Sequence, residues 1–251
     1  MSGHSKWHSI KHKKAKEDAK RGNLFGKLSR MISVAAKEGG SGDLENNNAL
    51  ANAIAKAKEY NLPQDNIERA IKKGLGEMAG AKFEHITYEG YGPGGIAIMV
   101  DVTTENKNRT AADIRSIFSR NNGNLGESGC VAWMFERKGI ITVSKENIKD
   151  YDDFMLKSID SGAEDIEETD ESYELKVEPS QLNEVKNNLI KNGIEVKFTD
   201  IILIPKSTIK LSKNETEKAL KIINALDDYD DVENVYTNLE IEDAMLEDLE
   251  S

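Results

Sequence analysis

The spacing of apolar residues changes character near residue 81, and that change limits the folds open to this chain. Over residues 24–38, Phe25, Leu28, Ile32 and Ala35 recur at intervals of three and four, the stripe of an amphipathic helix. Gly39, Gly40 and Gly42 then stop it. Leu50, Ile54 and Ala57 mark a second helix from about Asn46 to Tyr60. Pro63 opens a third, with Ile67, Ala70 and Ile71 inward and Gly74 and Gly76 at its end. Three short helices on short links predict a small bundle.

Beyond Ala81 strands alternate with helices. Ile86-Thr87-Tyr88 and the nearly continuous apolar run Ile96 to Val102 predict strands, the second a buried one. Asn108 to Arg120 predicts a helix, and Val131 to Phe135 and Ile140 to Val143 predict strands. From 140 to 204 the pattern is strand, helix (Tyr151 to Ser161), short strand at Asp165-Ile166, strand (Tyr173 to Val177), helix (Gln181 to Lys191), strand (Val196 to Ile204). That order is a split βαβ, ferredoxin-like unit. Residues 96–135 supply only strand, helix, strand. Thr208 to Leu211, a helix from Lys213 to Asp227 and Val232 to Ile241 are expected to complete them. The expected fold is α+β: an N-terminal three-helix bundle (1–80), then two ferredoxin-like α+β domains, one (136–205) inserted in the other (81–135 and 206–251).

Composition agrees with several small cores. A chain of 251 residues suits two or three domains, and 31% charged against 6% aromatic residues implies wide solvated surfaces. Nothing approaches 18 consecutive apolar residues, which argues against a transmembrane helix, and no apolar stretch follows the basic start as in a secretory signal. Cys130 is the single cysteine, which removes intramolecular disulfides and multi-cysteine metal sites. The expected location is cytoplasmic.

Charge is unevenly placed. Residues 1–80 carry 15 Lys and Arg against 9 Asp and Glu, whereas residues 81–251 carry 19 against 36, on a chain of net charge −11. The first twenty-one residues hold Lys6, Lys11, Lys13, Lys14, Lys16, Lys20 and Arg21 against only Glu17 and Asp18. A basic arm on an acidic protein points to a polyanion, because each neutralised phosphate releases counterions. Trp7 adds a ring on which a base can stack. His4, His8 and His12 recur every four residues, but no cysteine or carboxylate beside them completes a zinc shell, so phosphate or RNA contact is the preferred reading and no metal is expected. The bland alternative is a solubilising tail, against which the exposed indole argues.

Tyr88-Glu89-Gly90-Tyr91-Gly92-Pro93-Gly94-Gly95 is the second distinctive stretch. Its glycines could nest an anion, and Tyr88, Tyr91, Gly92, Pro93 and Gly94 are candidates for contact with RNA or a partner. A tight turn flanked by packed tyrosines is preferred. The P-loop pattern is missing, as are G-x-S-x-G and HExxH, so no catalysis, cofactor or small-molecule substrate is expected. Asn106, Asn108, Arg109 and Thr110 read as a helix cap and Cys130 as a small core residue. The twelve acids from Asp150 to Glu178 read as a solvated face.

Three stretches together resemble the YebC family, which also includes mitochondrial translational activators. They are Gly3-His4-Ser5-Lys6-Trp7 with Ile10-Lys11-His12 and Asp18 to Gly22; Asn61-Leu62-Pro63 with Asp65 to Gly74; and Tyr88 to Gly95 with Asn108-Arg109-Thr110 and Trp133-Met134-Phe135. The resemblance spans essentially the whole chain. It implies a helical bundle and two α+β domains, and no enzymatic activity or cofactor. Members are commonly called DNA-binding transcriptional regulators, while others resemble ribosome-associated factors that relieve stalling, for example at consecutive prolines. The chain departs from the family at Asn47-Asn48-Ala49-Leu50-Ala51, where arginines are usual, which shifts binding toward the arm. The expected partners are rRNA or tRNA at the ribosome, with basic ribosomal proteins facing the acidic body, or DNA.

Overall fold

The computed structural model describes residues 21–44, 46–77, 84–169 and 172–241. Three helices come first: α1 (Arg21–Gly39), α2 (Asn48–Glu59) and α3 (Gln64–Gly74). A hairpin of β1 (Glu84–Tyr91) and β2 (Ala97–Thr104) leads to α4 (Lys107–Arg120) and a two-residue strand β3 (Asn124–Leu125). Next come β4 (Phe135–Ser144), α5 (Tyr151–Ser161), β5 (Asp165–Glu168), β6 (Ser172–Val177), α6 (Leu182–Lys191) and β7 (Phe198–Pro205). They are followed by β8 (Ile209–Lys210), α7 (Lys213–Asp227), β9 (Val232–Thr237) and β10 (Leu239–Glu240). Phe135–Ile204 form one compact unit, and the remaining described residues form another.

In the larger unit the bundle closes on Leu28, Ile32, Leu50, Ile54, Ala57 and Ile67, the stripes expected from their spacing. Gly74, the last residue of α3 as expected, also serves packing: a Cβ there would lie 2.2 Å from the Ser33 carbonyl oxygen. Ser33 Oγ also donates to the Ala70 carbonyl at 2.8 Å, so a side chain of α1 bonds directly to the backbone of α3. Asn47, which opens the stretch where the family's usual arginines are missing, is a buried cap. Its Oδ1 accepts from Leu50 N–H (3.0 Å) and its amide donates to the carbonyls of Ala35 (2.9 Å) and Ser41 (3.0 Å).

The same unit contains a four-stranded sheet in the order β3-β1-β2-β9, antiparallel throughout. The central strand β2 is buried on both faces, as its apolar run predicts. Ile98 and Val100 pack with Ile114 and Phe118 of α4 and Ile222, Ile223 and Leu226 of α7. Two expectations fail here. The strand after α4 is Asn124–Leu125 instead of Val131 to Phe135, where Ala132–Met134 form a 3-10 turn. The reason lies at Glu89, whose carboxylate takes the N–H groups of Gly129, Val131 and Ala132 and leaves them none to offer a strand neighbour. Likewise Thr208 to Leu211 does not complete the sheet. Its core, β8, pairs in parallel with β10 as a separate ribbon, and β1 fills the place.

The smaller unit is the ferredoxin-like fold expected of it, with strand order β5-β6-β4-β7. Ile141, Val143, Leu175 and Val177 of the sheet pack with Phe154 of α5 and Leu182, Val185 and Leu189 of α6. Asp150 caps α5 through the N–H groups of Asp152 and Asp153, and Gly162 ends it at φ 110°. Much of the acidic run is engaged in surface ion pairs: Glu164 with Lys138, Glu168 with Lys145, and Asp165 and Glu167 with Lys176.

Candidate nucleic-acid interface

Of the arm, Arg21 is the first residue of α1; His4, Lys6, Trp7, His8, Lys11, His12, Lys13, Lys14, Lys16 and Lys20 lie outside the described residues. What the structure describes is the surface that follows the arm.

The glycine-rich stretch is a tight turn. Gly92 N–H donates to the Ile96 carbonyl (2.8 Å) and Gly95 N–H to the Gly92 carbonyl (3.1 Å). Gly94 sits at φ 72°, where a Cβ would also strike Leu211 at 2.5 Å, so only glycine fits. Pro93 is buried. Tyr91 donates its hydroxyl to the Cys130 carbonyl at 3.1 Å, and Tyr88 packs on the sheet core. Burial pushes the Tyr88 hydroxyl up, with Arg115 opposing and Asp231 assisting. Gly94 and Gly95 are the exposed residues of the turn. Cys130 is half-buried rather than a core residue; burial, then the charge of Glu89, raises its thiol.

Sequence reasoning missed the organising group, Asp231. It closes a run of acidic residues after α7, yet it is 4% exposed. Thr110 Oγ1 (2.7 Å) and Thr104 Oγ1 (3.0 Å) donate to it, Arg109 Nη2 lies 3.2 Å away, and Arg30 Nη1 of α1 lies 3.7 Å away. Burial alone would raise the Asp231 carboxyl. The bonds from Thr110, Thr104 and Arg109 and the charge of Arg30 outweigh it and hold the group below its ordinary value. Arg30 also donates to the Asp230 carbonyl, and Lys27 to the Asp227 carbonyl at the last residue of α7. Lys27 thus meets the negative end of that helix, Arg30 the loop that follows it, and both tie the bundle to the sheet domain. The signal available in the sequence was Asn108-Arg109-Thr110, where only a cap was read. Asn106 does cap α4, accepting from Arg109 N–H at 3.1 Å.

Beside this junction a cleft of about 550 Å³ opens between α1, α3 and the start of α4. Four cations border it: Arg30, Arg69, Lys73 and Arg109, against the carboxylates of Glu105 and Asp231. Lys73 reaches Glu105 at 3.1 Å in an exposed pair. Arg69 is exposed and has no ion-pair partner among the described residues. None of the four belonged to the expected site. The cleft brings together helices far apart in sequence; Arg69, Lys73 and Arg109 lie in stretches that carry the family resemblance, but none was read as a site residue.

Among the described residues no His, Cys, Asp and Glu group of three or more is arranged to hold a metal ion. No helix among them is long and apolar enough to cross a membrane.

A helical bundle, an interrupted four-stranded α+β domain and an inserted ferredoxin-like domain define a three-part α+β protein with a cationic junction. The chain belongs to the TACO1/YebC family: the family model for the TACO1/YebC protein N-terminal domain matches residues 5–77, and that for the TACO1/YebC second and third domain matches residues 83–239. It is 51% identical over 249 residues to a "Probable transcriptional regulatory protein" of Natranaerobius thermophilus, covering 98% of this chain and 99% of that one. A relative of the same description from Thermoanaerobacter pseudethanolicus is 53% identical over 243 residues, covering 97% and 98%. The crystal structure of a conserved hypothetical protein from Aquifex aeolicus superposes with a TM-score of 0.81 at 44% identity, covering 90% of this chain and 93% of that one.

Proposed function

We propose that this chain is a non-enzymatic, nucleic-acid-binding regulator of gene expression that acts in the cytoplasm. The observation that carries the reading is the separation of charge: cations prevail in residues 1–80 of a chain whose net charge is −11. The regulatory role is supported by its relatives, described as probable transcriptional regulatory proteins. In this reading His4, Lys6, Trp7, His8, Lys11, His12, Lys13, Lys14, Lys16, Lys20 and Arg21 bind phosphates and stack a base. Any contact by the turn runs through the exposed backbone of Gly94 and Gly95.

The favoured partner is ribosomal RNA, in a factor that relieves stalled translation. α2 and α3 are joined by four residues, as in a helix-turn-helix, but α3 exposes Asp65 and Glu68 beside Arg69 and Lys72. Carboxylates in its first two turns repel the phosphates flanking a major groove and read no base pattern well. A lysine-rich arm binds without sequence preference, and the acidic remainder suits basic ribosomal proteins. The second reading, a DNA-binding transcriptional regulator, is favoured by the relatives' names.

Ribosome co-sedimentation at physiological salt, with excess non-specific duplex DNA, tests the choice. The full chain should pellet with ribosomes, and a variant with Lys11, Lys13 and Lys14 changed to Glu should not. Complete stripping by the DNA would overturn the ribosomal reading in favour of the transcriptional one. Unchanged binding by the variant would overturn the role of the arm.

A further inference from the structure

We propose that the cleft between α1, α3 and the start of α4 seats one nucleotide of a single-stranded nucleic acid, with its phosphates on Arg69 and Arg109 and its base on Phe25. The inference rests on the reading of the chain as a nucleic-acid binder, and adds a second set of contact residues to those of the arm.

Charge comes first. Four cations and two carboxylates border the cleft, an excess of two positive charges on a chain of net charge −11. The carboxylates are already engaged. Asp231 is held by Arg30, Arg109, Thr104 and Thr110, and Glu105 by Lys73. Arg69 remains exposed with no ion-pair partner among the described residues. The Arg109 side chain is 59% exposed and directs one terminal nitrogen to Asp231. A guanidinium has five N–H donors in a fork, so Arg109 can stay on Asp231 and still grip a phosphate oxygen. The exposed Lys73–Glu105 pair is worth little by itself and yields readily to a phosphate.

Shape and apolar surface come second. Phe25, half-buried against the bundle core, lines the cleft together with Ala70. A ring bordered by cations is the combination that holds single strands, since any base can stack on it. Asn66, on the same wall, carries an amide donor and acceptor suited to a base edge. About 550 Å³ is room enough for one nucleotide.

The test measures anisotropy of fluorescein-labelled ten-residue oligo(U) and oligo(dT) with full-length protein across a KCl series. The proteins are wild type, Arg69→Glu, Arg69→Lys, Phe25→Leu and the Lys11/Lys13/Lys14→Glu triple variant. Arg69 is exposed and Leu keeps Phe25's apolar packing, so these variants fold. Arg69→Glu should weaken binding about tenfold and reduce the salt slope by about 0.7 for one lost contact, while Arg69→Lys stays within about threefold of wild type. Phe25→Leu should lose about fivefold or more. If Arg69→Glu and Phe25→Leu match wild type while the triple variant fails, the cleft proposal is wrong and the arm reading stands. If the cleft variants fail and the triple variant binds normally, the cleft stands and the arm reading falls. Absence of binding to either oligomer by wild type overturns both. Competition by free UMP as strong as by unlabelled oligo(U) overturns the polymer assignment and makes this a mononucleotide site.

Discussion

Thr110 Oγ1 donates to Oδ2 of Asp231 across 2.7 Å, joining the first turn of α4 to the residue that precedes β9, 121 positions later. Around that contact the chain assembles a cluster from segments far apart in sequence. Arg30 from the bundle, Thr104 from β2 and Arg109 from α4 converge on the same buried carboxylate. The bundle and the sheet domain are thereby locked in one geometry, and the cationic cleft lies beside the lock.

Asp231→Asn keeps the shape of the side chain and removes its charge. Urea unfolding should show a loss of about 2 kcal/mol, because two arginines lose their counter-ion and one of them is partly buried. The carboxyl sits below its ordinary 3.8 in the folded state, so its contribution is present above the unfolded value and is lost as pH falls through the folded value. The gap between wild type and variant should therefore close below about pH 4. A gap that persists unchanged at low pH would show that shape, not charge, matters.

Glu89→Gln should loosen the turn that replaced the expected strand. Burial raises this carboxyl, but the N–H groups of Gly129, Val131 and Ala132 outweigh it and hold it below 4.5. Hydrogen exchange at those three amides should accelerate by about ten- to a hundredfold, equivalent to roughly 1–3 kcal/mol. Wild-type protection should fall in the same way as pH drops through the lowered value. Equal protection in both proteins would remove the charge from the explanation.

Glu233 is the opposite case. Its Oε1 and Thr103 Oγ1 are buried without hydrogen-bond partners among the described residues. Burial raises its carboxyl; the charges of His85 and Lys56 pull the other way and that of Asp101 assists burial. A raised folded value means stability is fullest below the unfolded value and is lost as pH rises through the folded one. Glu233→Gln should raise Tm by about 2–4 °C at pH 8 and leave it unchanged at pH 4. A lower Tm at pH 8 would mean the ionised group is stabilised in place.

Gly94→Ala combines a positive φ with a 2.5 Å approach to Leu211. A loss of about 2 kcal/mol is expected on thermal unfolding, about half from the left-handed backbone. A neutral outcome would release the turn from its structural role and strengthen a contact role for the stretch.

The positions of most helices follow from the sequence because their determinants are local. Tyr151–Ser161 and Lys213–Asp227 have the bounds that their spacing predicts. Asp150 caps the first, and the second starts with a Ser212–Glu215 capping box. The inserted domain's order of elements was equally legible, since each strand there alternates or runs apolar on its own terms. The strand at Asn124–Leu125 was not legible: two residues have no periodicity, and only pairing with Gly90 and Tyr91 makes them a strand.

The sequence by itself determined the bundle, the α+β class, the inserted ferredoxin-like unit and the concentration of positive charge toward one end. Each of these is written in apolar spacing, caps or charge counts within a few dozen residues. Tertiary structure alone decided that Val131 and Ala132 give their N–H groups to Glu89 instead of a neighbouring strand, and that β1 rather than β8 completes the sheet. It also buried Asp231 and gathered Arg30, Arg69, Lys73 and Arg109 around one cleft. Hydrogen bonds and ion pairs between residues 40 to 200 positions apart carry no local periodicity, so only the folded chain brings them into view.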